Sequence, residues 1–114
     1  MNLSEIISLL DLKPLTAEKA YDRVVPTGGY ASDLLSCVMA GAKQKNVWIT
    51  LQAHINIVAI ASLLDLSAII ITENAQPDSN TLAKANEQDV ILLSTPEAPY
   101  TVVGRLWEAG LRSR

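Results

Sequence analysis

The sequence has 114 residues, 49% of them apolar, with 9 Lys and Arg against 12 Asp and Glu for a formal charge of −3. That length suits one domain with a real core, and that apolar content excludes a disordered chain. The acidic balance speaks against nucleic acid as a partner, because a phosphate-backbone binder shows a basic stripe. Arg105, Arg112 and Arg114 do gather at the end, where they read as favourable charges on the last helix.

Cys37 is the only cysteine, so no intramolecular disulfide can form, in keeping with a reducing, cytoplasmic setting. Glu5 and Asp11 bracket the apolar residues 6–10, and no basic stretch precedes them, unlike a signal peptide. The longest apolar stretch, residues 55–64, is interrupted by Asn56 and Ser62 and is too short to span a bilayer, so no membrane partner is expected.

Leu3, Ile6, Ile7 and Leu10 repeat at helical spacing, with Asn2 and Glu5 placed as a capping box, so residues 1–12 form an N-terminal helix that Pro14 stops. Residues 15–25 read as one or two short extended pieces. Pro26, Thr27, Gly28, Gly29 and Tyr30 are a turn signal, since paired glycines permit positive φ. A helix over 32–42 is expected next, capped by Ser32 or Asp33, with Leu34, Leu35, Val38, Met39 and Ala42 on one face. Cys37, beside that face, reads as a small buried hydrophobe.

From Val47 the chain alternates. Strands are expected over 47–51, 68–72 and 90–94, and helices over 54–64, 80–88 and 99–109, the last closed by Gly110. The strands are continuous β-branched and leucine runs, as when both faces are covered. The fold class is therefore α/β, one layered domain with a mainly parallel sheet of four to five strands and helices on both faces. Thr50, Thr72 and Ser94 lie 22 residues apart, which three βα units of equal length explain. The helix over 54–64 has almost no polar face; burial by a second subunit completes it, or the N-terminal helix covers it within one chain.

Ligands of open parallel sheets bind beyond the carboxyl ends of the strands. That rule nominates the loops at 50–56, 72–74 and 94–97, with the turn at 28–30 placed to join them. Gln52, His54 and Asn56 supply donors and acceptors where a strand gives way to the apolar helix, whose free N–H groups suit an anion or phosphate. His54 reads either as a ligand contact or as a helix-start cap. The candidate ligand-binding residues are Gly28, Gly29, Tyr30, Asp33, Thr50, Gln52, His54, Asn56 and Thr72. One His and one Cys cannot make a structural zinc site. No P-loop, dinucleotide fingerprint or nucleophile elbow is present. No catalytic residue, metal or cofactor is expected.

Asp22-Arg23, Gly28-Gly29-Tyr30-Ala31-Ser32-Asp33-Leu34-Leu35, Val47-Trp48-Ile49-Thr50 and Gln52-Ala53-His54-Ile55-Asn56 together resemble the DRTGG domain family. The resemblance covers roughly residues 12–110. Asp22, Arg23 and Thr50 match the family's Asp, Arg and Thr, while its Gly-Gly pair appears as Glu73-Asn74, a departure that argues against a tight glycine turn there. Such domains occur beside CBS modules in regulated pyrophosphatases and within phosphotransacetylases, and resemble the non-catalytic domain of HPr kinase/phosphorylase. The resemblance implies a homodimeric, non-catalytic regulatory or ligand-sensing domain. Three readings stay open: a sensor of a nucleotide or other phosphorylated metabolite, a ligand-free module docking on a larger partner enzyme, and a small enzyme using His54 as acid or base.

Overall fold

The structure, a computed structural model, describes residues 1–112; Arg114 lies outside the described residues. Five strands form one sheet: β1 (Lys13–Pro14), β2 (Gly28–Ala31), β3 (Asn46–Thr50), β4 (Ala68–Ile71) and β5 (Leu92–Ser94), in the order β1-β5-β4-β3-β2. All neighbouring pairs are parallel except β1 with β5. The helices are α1 (Leu3–Leu10), α2 (Leu35–Gly41), α3 (Asn56–Leu64), α4 (Ser79–Glu87) and α5 (Pro99–Glu108). The α/β class and the mainly parallel sheet are as the sequence reads.

Strand alternation sorts the apolar residues into two cores. Val47, Ile49, Ala68, Ile70 and Leu93 pack under α1 and α5 through Leu3, Ile6, Leu10, Val102 and Leu106. Trp48, Ile69, Ile71 and Leu92 pack under α2, α3 and α4 through Val38, Ile57, Val58, Ile60, Ala61 and Ala85. Each fully buried Leu, Ile or Val contributes roughly 1.5–3 kcal/mol against the entropy of ordering the chain. Asn2 and Glu5 form the capping box at α1, with reciprocal bonds of 2.9 Å. At its other end Asp11 takes a left-handed conformation that closes the helix.

Several expectations are corrected. Residues 28–31 are a strand, not a turn: Gly28 pairs with Asn46 and Ala31 with Ile49, so tertiary pairing with β3 overrides the local turn signal. Residues 15–25 hold a 3₁₀ turn at Tyr21–Arg23 and irregular chain rather than extended pieces. The short antiparallel β1 carries no sequence pattern of its own. Helix α2 starts at Leu35, later than expected, because Asp33 bonds across the sheet edge instead of capping. Cys37 is exposed, on the solvent side of α2. Helix α1 lies on the sheet face opposite α3, whose flanks are α2 and α4. Thus α3 is covered on one side by its own chain, while Leu63 stays 70% exposed and Ile55 38%.

Candidate functional site

The parallel strands deliver their carboxyl ends to one edge. Thr50 is in register with Ile71, and Ile71 with Ser94, so the three βα loops open side by side. The chain leaving β2 joins them. The Trp48 indole N–H donates to the Ser32 carbonyl at 2.9 Å, and the Ser32 N–H donates to the Ile49 carbonyl at 3.2 Å. These bonds hold Asp33 over the end of β3.

There Asp33, Thr50 and Gln52 form one knot. Asp33 Oδ1 accepts from the Thr50 hydroxyl at 2.7 Å and from the Leu51 N–H at 2.9 Å. Thr50 Oγ1 accepts from the Gln52 N–H at 3.1 Å, and Gln52 Nε2 donates to the Asp33 carbonyl at 3.1 Å. Thr50 is buried and Asp33 exposed, so a carboxylate faces solvent on a fixed base. The knot also ties the start of α2 to the chain entering α3.

His54 and Asn56 follow. His54 is exposed, and its Nδ1 accepts from the Asn56 N–H at 3.3 Å, a local cap on the first turn of α3. No carboxylate or nucleophile hydrogen-bonds His54 among the described residues. The N–H groups of Ala53, His54 and Ile55 meet no acceptor among the described residues, as expected of the free donors before a helix.

Thr72 stands one residue beyond Ile71. Its N–H donates to the Thr50 carbonyl at 2.9 Å, while its own hydroxyl is buried with no partner. By alternation it belongs to the α1/α5 face rather than that of Ile71. After it, Glu73 and Asn74 both adopt left-handed conformations, with φ of 58° and 57°. Their N–H groups donate to the carbonyls of Glu97 and Thr95 at 2.9 and 3.0 Å. A tight turn therefore exists at this place without glycine. The signal was available in part, since Asn visits this region readily.

Gly28 and Gly29 do not join this edge. Gly28, paired with Asn46, lies at the opposite, amino end of the sheet. Tyr30 is engaged with α2: its hydroxyl donates to the Cys37 carbonyl at 3.1 Å and lies where a Cβ on Gly41 would come within 2.6 Å. An apolar cleft of about 230 Å³ beside Gly29, Tyr30 and Ala31 is roofed by Val103, Leu106 and Trp107 of α5.

The edge loops carry Asp33, Glu73, Asp78 and Glu97, and no Lys or Arg. The backbone N–H of Thr81, then its hydroxyl, hold the Asp78 carboxyl below the usual carboxylate range, with a smaller contribution from nearby His54. No group of three His, Cys, Asp or Glu among the described residues could hold a metal ion.

Neither a protein-family model nor a curated protein matches the sequence. The fold is similar to the CBS and DRTGG domains of the regulatory region of Clostridium perfringens pyrophosphatase, solved with its activator diadenosine tetraphosphate. The TM-score is 0.73 at 16% sequence identity, over 99% of this chain and 50% of that one. The chain thus spans about half of that structure, and the likeness shows a DRTGG-like fold.

Proposed function

We propose that the chain is a non-catalytic regulatory domain that senses a small ligand at the carboxyl edge of its sheet. The knot of Asp33, Thr50 and Gln52 beside the open N–H groups of residues 53–55 carries this reading. It offers a fixed acceptor and several neutral donors on one surface. Likeness to a region described as regulatory supports it.

The chemistry suits a nucleotide or other phosphorylated metabolite of low charge. Ribose hydroxyls would donate to Asp33 Oδ2, and a phosphate would meet the N–H groups at the start of α3 and the His54 ring. With four carboxylates and no Lys or Arg in these loops, a polyphosphate is disfavoured. A thermal-shift series over nucleosides, nucleoside mono-, di- and triphosphates and acyl phosphates tests this, because a ligand of the native state raises the midpoint. The expected response is greatest for a monophosphate and is lost in the His54→Ala, Asn56→Ala double variant. No response from any compound would refute the sensing reading.

A second reading, a docking module for a larger enzyme, is favoured by exposed apolar side chains: Leu34 and Ile55 just before α2 and α3, Leu51 in the loop after β3, and Leu63 on α3. On either reading the chain acts as a homodimer without phosphoryl transfer of its own. Phosphate transferred from labelled ATP by rigorously purified protein would contradict that.

A further inference from the structure

Helix α5 carries two apolar stripes. Val102 and Leu106 face the core and are buried. A second stripe turns to solvent: Tyr100 is 91% exposed, Trp107 52% and Val103 36%. With Gly104 and Glu108 these residues line one shallow concavity.

Gly104 has no role inside the chain. A Cβ added there would meet nothing within 4 Å among the described residues, and its backbone is not in the left-handed region. Glycine is the poorest helix former after proline, so its place in the middle of an exposed helix is unexplained by the monomer. What it provides is room for another backbone to approach closely.

We propose that this outer face of α5 pairs with the same face of a second copy, antiparallel, about a twofold axis at Gly104. The charges choose that occupant. Around such an axis, residue 104+n of one copy meets residue 104−n of the other. Tyr100 then faces Glu108, each one helical step of four residues, roughly 6 Å, from the centre. The phenol O–H can donate to the carboxylate, and the contact occurs twice. Further out, just beyond the ends of the helix, the acidic end with Glu97 comes beside the basic end with Arg112, one position out of exact register. Arg112 is held there by its Nε bond to the Trp107 carbonyl at 3.2 Å and by its guanidinium 5.4 Å from the Trp107 ring centre. A parallel pair would set like charge on like. Arg105 is kept off the face, because its Nη2 donates to the Leu9 carbonyl. This interface differs from one through α2 or α3, on the other side of the sheet, and it is independent of whether a ligand binds.

Sedimentation analysis of the full chain tests it. Wild type is expected to be a dimer at micromolar concentration. Gly104→Glu should weaken association by at least about tenfold without lowering the melting temperature of the isolated protomer, since glutamate is the better helix former. Arg112→Glu should also weaken it, and adding Glu97→Arg should restore it. Leu63→Glu should leave it unchanged. A wild-type monomer, a dimer indifferent to Gly104→Glu, or a dimer broken by Leu63→Glu instead would each overturn the proposal. The thermal-shift response to ligand, read on wild type and on Gly104→Glu, which leaves the edge loops unchanged, reports on the carboxyl edge alone.

Discussion

Replacing Glu73 by glycine should stabilise the fold, although it removes a side chain. Glu73 sits at φ 58° and Asn74 at φ 57°, and the turn they make is pinned by N–H bonds to the carbonyls of Glu97 and Thr95. A residue with a Cβ bears roughly 1–2 kcal/mol in this conformation. Glycine escapes that strain but loses more freedom on folding, about 0.5–1 kcal/mol. The exposed Glu73 side chain makes no hydrogen bond among the described residues, so little else is lost. The net gain is about 0.5–1 kcal/mol, a rise in melting temperature of roughly 2–5 °C for a domain of this size. Glu73→Val should do the reverse, by about 1 kcal/mol or more, because a β-branched residue fits positive φ worst. Asn74→Gly should change little, since Asn tolerates the region. Calorimetry on the three variants checks the order Gly, wild type, Val. A Glu73→Gly variant that melts below wild type would show that the left-handed backbone at Glu73 carries no net strain.

At the knot, Asp33→Ala should cost about 1–2 kcal/mol in urea unfolding, for two bonds to a partly solvated carboxylate. Asp33→Asn should recover most of it if geometry rather than charge is what matters; equal losses would reverse that conclusion. Gly41→Ala should expel the Tyr30 hydroxyl, 2.6 Å from the new Cβ, at about 1–3 kcal/mol, and pairing with Tyr30→Ala should remove most of the penalty. A cycle with no coupling would contradict the contact. The Asp65 carboxyl lies below its usual value through bonds first from Gln44 and then from Lys45. Its contribution is therefore present above the unfolded pKa and lost as pH falls through the folded one. Acid unfolding of Asp65→Asn should show a shallower loss of stability below about pH 4; an unchanged slope would discount the interaction.

The three βα units were legible because Val47–Thr50, Ala68–Ile71 and Leu92–Ser94 are apolar runs that only a doubly covered strand explains. From them followed the parallel sheet and the edge on which Thr50, Gln52, His54 and Asn56 emerge. The glycines at 28 and 29 misled, since their strand depends on pairing with Asn46 and Val47, which local pattern does not encode. Ser32-Asp33 before an apolar helix looks like a cap. Asp33 is drawn instead to Thr50 and Leu51, 17 and 18 residues away. The antiparallel β1 was invisible for the same reason: two residues, Lys13 and Pro14, become a strand only because Ser94 and Leu93 lie beside them.

A ligand held at the carboxyl edge should register on the backbone amides around it. Backbone amide chemical-shift mapping, with nucleoside monophosphate titrated into the labelled domain, tests it most directly. Perturbations should concentrate at Asp33 and at residues 50–56, saturate with ligand, and vanish in the His54→Ala, Asn56→Ala variant. Shifts confined to the Gly28–Ala31 strand or to the outer face of α5, or no shifts at all, would contradict the account.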